Sequence, residues 1–372
     1  MDGVRFLIQL VSHDKSPPDE SNKKKKSDSG KNDKSQDSGK KESPKSTERI
    51  NVDKPLWSQD NYLGRWRHFA FITDFRTIFV SEEKLKAAKK LCEDYKAKKE
   101  AKDTTRDEII YAKKLRDSSF HPDNGELMNV LGRMSSQFPA NVFITTGMLA
   151  FYKSAAAVIG WQFLNQSFNA LVNYTNRNAQ IDQEDDVRVI KEAFIFAAVS
   201  SCATALISRR ILSRRGPVVS RWAPFLAVVV GNMVNLPIMR QREIIRGIPI
   251  SPKDQESMAI MNSKIASIKA ISECVICRIV MAAPGMILIP VIMNRIKPYC
   301  FYQLRPWIRF PVEISLCGAF LLLMIPSALA IYPQRNSMKT SFLKINANEY
   351  EEFQKNYKGK SELDRVCYNK GL

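Results

Sequence analysis

Trp222–Met239, WAPFLAVVVGNMVNLPIM, runs for 18 residues without a charged side chain. A helix rising about 1.5 Å per residue covers the hydrocarbon core of a bilayer with a run of that scale. Inside it, Asn232 and Asn235 stand three residues apart, just ahead of Pro237. A carboxamide facing acyl chains would forfeit hydrogen bonds at a cost of several kcal/mol. Both amides must therefore face other helices or a cavity. Pro237 lacks an N–H and frees the carbonyl of Met233, so the backbone beside the amides is loosened. A spanning helix with inward-facing amides requires neighbours.

Four more apolar stretches supply them: Ala140–Phe163, Ile190–Ile207, Val275–Met293 and Val312–Tyr332. The expected fold is all-α, a multi-pass membrane bundle of about five transmembrane helices with a soluble helical portion before it. The mean hydropathy of −0.26 points the other way, but polar residues are concentrated before Pro139 and at the C-terminus. Residues 1–50 form a basic extension, with Lys23–Lys26 in a row, expected to be disordered for want of apolar residues. Residues 51–138 read as the soluble helical region, with helices over Ser81–Tyr95 and Thr105–Arg116. Residues 139–333 hold the bundle, and 334–372 a polar tail that is amphipathic around Tyr350–Tyr357. No internal repeat is evident.

The net charge is +19. It is spread over tails and loops rather than gathered on one face, which argues against a nucleic-acid partner. Arg209, Arg210, Arg214, Arg215 and Arg221 flank two apolar segments, as residues at lipid headgroups do. Basic connections fall on both sides, so charge counting does not choose an orientation. The seven cysteines are dispersed, and Cys274-x-x-Cys277 opens an apolar helix, where thiols act as small hydrophobes. No phosphate loop, dinucleotide fingerprint, nucleophile elbow or zinc-protease motif is present. Neither an enzyme nor a cofactor is expected.

Three groups of residues carry the chemistry. Asn165, Asn169, Asn173 and Asn176 recur at helical spacing, so their amides share one face. Such a face suits the ammonium and carboxylate of an amino acid, or else an amphipathic helix lying at the headgroups. Asn232 and Asn235 form a second amide pair, with Pro237 beside them and Arg240 at the membrane edge. Arg278 lies within the fourth stretch, followed by Pro284-Gly285. A cation at that depth needs an anion, either a solute carboxylate or Glu273 or Glu313. Lys153, inside the first stretch, is expected to snorkel. His121, Pro122, Asp123, Gly125 and Glu126 surround a turn. One histidine with two carboxylates is an incomplete metal set, so the expected role is a structural turn or gate and no metal site is assigned.

From about Trp57 to Leu372 the chain resembles the sideroflexins. The resemblance rests on Leu63-Gly64-Arg65, Ile72-Thr73-Asp74, His121-Pro122-Asp123 with Gly125-Glu126, and Asn165-Gln166-Ser167-Phe168-Asn169-Ala170. It continues through Asn173-Tyr174-Thr175-Asn176-Arg177, Asn235, Pro237, Met239-Arg240-Gln241 and Ala283-Pro284-Gly285-Met286. It implies a multi-pass protein of the mitochondrial inner membrane that carries amino acids. Serine for one-carbon metabolism is the solute it implies, with a link to iron and haem homeostasis. The expected partners are a small neutral amino acid and the lipid bilayer. The rival expectation is a membrane scaffold that carries no solute and affects iron or haem through protein partners.

Overall fold

The helices expected over Ser81–Tyr95 and Thr105–Arg116 form as Glu82–Lys96 and Arg106–Ser119, after a helix that the sequence reading did not include. The computed structural model describes residues 49–121, 125–175, 183–252, 259–357 and 363–371. Helix α1 (Tyr62–Ile72) opens at Asn61, whose side chain accepts from the Gly64 amide. Helix α2 (Glu82–Lys96) follows Ser81, with Glu82 and Glu83 at its positive end. Helix α3 (Arg106–Ser119) begins with a capping box of Thr105 and Glu108. Leu85, Ala88 and Cys92 of α2 pack on Ala112, Leu115 and Phe120 in a small core.

The bundle follows. Helices α4 (Gln137–Ala150) and α5 (Ala155–Thr175) lead to α6 (Gln183–Leu212). A turn of helix, α7 (Pro217–Ser220), then turns the chain back into α8 (Ala223–Met239). Short α9 (Gln241–Arg246) precedes α10 (Lys264–Ile296), and short α11 (Cys300–Leu304) precedes α12 (Arg309–Leu329). Among the described residues, four segments are long and apolar enough to cross a membrane: Arg188–Arg215, Val218–Met239, Lys264–Ile296 and Arg309–Leu329. The first expected span, Ala140–Phe163, is not a single helix. It breaks between Ala150 and Ala155, and Lys153 lies exposed in that break instead of at mid-span.

Small side chains set the tightest contact. Ala193, Ala197, Ser201 and Ala205 repeat every four residues along α6, and all are fully buried. The answering stripe on α8 is Ala223, Ala227, Gly231 and Asn235, also buried. Ala205 packs with Ala227, and Gly231 meets Ser201, so the two helices run antiparallel. Glycine and alanine let backbones approach, which is what drives association where lipid competes for larger apolar groups. The opposite face of α6 exposes Ile195, Phe196, Val199 and Ile207, as a lipid-facing surface does.

The partner hairpin is α10 with α12. Leu149 of α4 closes on Ile289, Met293 and Cys317, and a Cβ at Gly285 would touch Phe320. Between the hairpins, the Trp222 indole donates to Ile287 O at 3.1 Å, while Leu236 packs on Ile271 and Cys274. The molecule therefore has two ends. At one, α6 and α10 finish and α8 and α12 begin.

At the other end stands a small sheet that the all-helical reading did not include. It joins β1 (Ile248–Pro252), β2 (Met261–Ser263), β3 (Arg335–Lys339) and β4 (Arg365–Asn369), all antiparallel, in the order β2-β1-β4-β3. Helix α13 (Ala347–Asn356) covers it through Phe353, together with Leu343 of the turn before the helix. Here α1 is clamped to the bundle: Arg65 Nε donates to Ala330 O at 2.8 Å and Trp66 to Ser327 Oγ at 3.1 Å.

Candidate functional site

The mid-bundle amides are built from α5 and α8. On α5, the predicted face of Asn165 and Asn169 is turned into the protein: Asn165 is buried and Asn169 half-buried. Asn173 continues the helix, but its side chain and Asn176 fall outside the described residues. The most deeply buried amides on this face are ones the asparagine spacing passed over, Gln162 and Gln166, each 1% exposed. At about 100° per residue, positions 162, 165, 166, 169 and 173 share a narrow arc. Counting all carboxamides would have found it.

Gln162 Nε2 reaches Met148 Sδ at 3.3 Å and Pro224 O at 3.4 Å. Gln166 Nε2 donates to Ser201 Oγ at 2.9 Å, and that hydroxyl donates to Ala197 O at 2.6 Å. The carbonyl oxygens of both glutamines are buried without a hydrogen-bond partner among the described residues. An unmet buried acceptor costs about 1–3 kcal/mol.

Asn235 is on the α6-facing stripe of α8, where packing is closest. A Cβ on Gly231 would lie 2.3 Å from Ser201 Oγ and 2.4 Å from Gln166 Nε2. Nothing larger than these side chains fits between the helices there. Asn232 differs. It shares a stripe with Val228, which packs near Met286, and Leu236, which packs on Ile271 and Cys274. That stripe faces α10.

Arg278 completes the level. The Trp222–Ile287 and Leu236–Cys274 contacts fix the antiparallel register, which puts Arg278 level with Asn232. It shares its face of α10 with Ile271 and Cys274, so guanidinium and amide occupy facing stripes. Neither side chain has a hydrogen bond or ion pair among the described residues. The carboxylates named above as alternatives are engaged elsewhere. Glu313 is fully buried and paired with Arg221. Glu273 accepts from Lys269, from Asn336 Nδ2 at 2.8 Å and from Tyr368 OH at 3.0 Å.

Arg240 is half-buried and held by its neighbours. It makes a two-point pair with Glu243, at 2.9 and 2.5 Å, and donates to Lys370 O at 2.8 Å. Pro237 and Pro284 do not interrupt their helices: α8 runs on to Met239, and α10 is continuous for 33 residues. Each proline removes one ladder bond within a helix that continues past it.

The turn after α3 is a closed loop. His121 N donates to Glu126 O at 2.9 Å, Gly125 N to His121 O at 2.9 Å, and Lys89 Nζ to Gly125 O at 2.8 Å. Gly125 has φ +67°, a conformation open mainly to glycine. Pro122, Asp123 and Asn124 fall outside the described residues. Two further stretches that carried the resemblance have structural work. A Cβ at Gly64 would lie 2.0 Å from Ser58 O. Asp74 accepts from Arg76 at 2.6 Å and Lys114 at 2.5 Å. Burial alone would raise its pKa, but these two cations outweigh it and hold the carboxyl at about 2.

Residues 51–372 match the family described as Sideroflexins. The chain belongs to the sideroflexin family. It is 43% identical over 325 residues to sideroflexin-2 of Drosophila melanogaster, covering 87% of this chain and 98% of that protein. Sideroflexin-2 of Homo sapiens is 44% identical over 325 residues, with the same coverage of each chain. Sideroflexin-1 of Ovis aries is 40% identical over 323 residues, again 87% and 98%. No solved structure matches. This sideroflexin is a multi-pass membrane protein by its apolar helices.

Proposed function

We propose that this sideroflexin carries a small neutral amino acid across a membrane, the mitochondrial inner membrane by the family resemblance. One observation carries the reading: Asn232 and Arg278 lie level on facing stripes of α8 and α10, and neither has a protein partner among the described residues. A guanidinium binds a carboxylate at two points, and an amide beside it accepts from an ammonium or a hydroxyl. The orphaned Gln162 and Gln166 oxygens offer further acceptors on α5. Asn165, Asn169 and Asn173 would continue that polar wall, with Asn235 packed in the α6 seam. Serine, with one hydroxyl donor, suits such a set and is the first solute to test. The link to iron and haem homeostasis implied by the resemblance belongs to the same proposal.

Serine uptake into proteoliposomes holding the purified full chain tests the reading. A charged hydrogen bond is worth about 1.5–3 kcal/mol. Arg278→Gln should therefore raise the half-saturating serine concentration roughly ten- to hundredfold, and Asn232→Leu should lower uptake while leaving the protein inserted. Uptake by the native chain no faster than by empty vesicles, or variants indistinguishable from it, would reject the proposal.

A further inference from the structure

The end of the bundle away from the sheet holds an open pocket that the solute reading does not use. It is about 390 Å³ and is lined by Tyr152, Lys153, Arg209, Ser213, Gly216 and Ser220. Two cations and three hydroxyls line it, with no carboxylate. Lys153 is exposed, and its ammonium has no bond among the described residues. Arg209 donates through Nη2 to Lys153 O, which holds its guanidinium over the α4–α5 break and leaves its other donors open. The wall behind is fixed. The Arg221 guanidinium lies 5.5 Å over the Tyr152 ring and is anchored by buried Glu313.

Positive charge is in surplus around this pocket. Arg210, Arg214 and Arg215 stand exposed beside it. Burial and the neighbouring charges of Arg221, Arg309 and Lys153 hold the Lys297 ammonium below the usual lysine range. Next to Tyr152 of the lining, Phe151 is 49% exposed, whereas Ile207 and Ile211 lie on the other side of α6 from Arg209, beside exposed Arg210 and Arg214. Cations without an ion pair among the described residues, beside an exposed phenylalanine, suit a ligand with an anionic head and apolar tails. A soluble phosphate would use the first feature and not the second.

We propose that this pocket binds the headgroup of an anionic phospholipid. Lys153 and Arg209 pair with the phosphodiester oxygens, and the Ser213, Ser220 and Tyr152 hydroxyls take remaining polar atoms of the headgroup. The acyl chains leave the pocket past exposed Phe151. The site is separate from the Asn232–Arg278 level and does not depend on which solute, if any, is carried.

The test is binding of fluorescent phosphatidylglycerol to the purified full chain in uncharged detergent micelles, competed with phosphatidylcholine or inorganic phosphate. Phosphatidylglycerol should bind and phosphatidylcholine should compete poorly. Lys153→Gln, at an exposed position that threatens no packing, should weaken binding about fivefold, and the pair Lys153→Gln with Arg209→Gln roughly twentyfold. Arg246→Gln, an exposed cation at the sheet end, should bind as the native chain does. Equal binding of the two lipids, or equal losses from Arg246→Gln and Lys153→Gln, would overturn the proposal. So would displacement of the lipid by inorganic phosphate at matching concentration, which would make the ligand a soluble anion.

Discussion

Replacing Gly231 by alanine asks whether α6 and α8 are as close as the geometry places them. The added carbon would fall 2.3 Å from Ser201 Oγ and 2.4 Å from Gln166 Nε2, where ordinary contact begins at 3.4 Å. Either the helices part or the Gln166–Ser201 bond breaks. Overpacking costs about 1–3 kcal/mol, and the lost hydrogen bond about 1 kcal/mol more. Against this, alanine is favoured over glycine in a helix by about 1 kcal/mol. The net expectation is a loss of about 1–3 kcal/mol, read from unfolding of the full chain in mixed micelles of rising SDS content by circular dichroism. Ser201→Gly removes one of the two clashing atoms and releases Gln166 from its bond to Ser201, so the double variant should recover about 1 kcal/mol beyond additivity. If Gly231→Ala is as stable as the native chain or more so, propensity has won and the close seam is wrong.

Asp74→Asn should cost about 2 kcal/mol at neutral pH, because the native carboxyl titrates at about 2 against about 3.9 when unfolded. A depressed folded pKa stabilises above the unfolded value, so the gap between variant and native should close as pH falls through that window in denaturation curves. Arg221→Leu should destabilise by about 3–5 kcal/mol, since it strips the buried Glu313 carboxyl of its close partner and leaves it Arg309 Nε at 3.8 Å. Adding Glu313→Leu should restore most of that in the same unfolding assay, and no recovery would show that the pair does more than neutralise itself.

The spanning helices were legible because apolar runs of the right length with at most two charges have few alternatives in water or lipid. The amide face of α5 was half legible. Asparagines at a four-residue spacing revealed the arc, while Gln162 and Gln166, buried deeper on it, escaped because residue type was counted instead of side-chain chemistry. Ala140–Phe163 misled because a hydropathy average passes over Tyr152-Lys153-Ser154, where the backbone leaves the helix. Arg278 was visible as a cation inside an apolar run, but its level with Asn232 depends on a register fixed by Trp222 and Leu236, which no local pattern encodes. The sheet was illegible. Its strands have three to five residues and come from four separate segments, and β1 carries both Pro249 and Pro252, which read as loop.

That sheet has a mechanical consequence. β1 and β2 are spliced between α8 and α10, whereas β3 and β4 come after α12, and the β1–β4 ladder fastens the two groups through Ile250–Tyr368, Ser251–Cys367 and Pro252–Val366. Three helix termini are thus stitched along one seam by main-chain bonds, like leaves gathered at a spine. Any swing of one hairpin against the other pivots there and widens toward the opposite edge, beside the arginines.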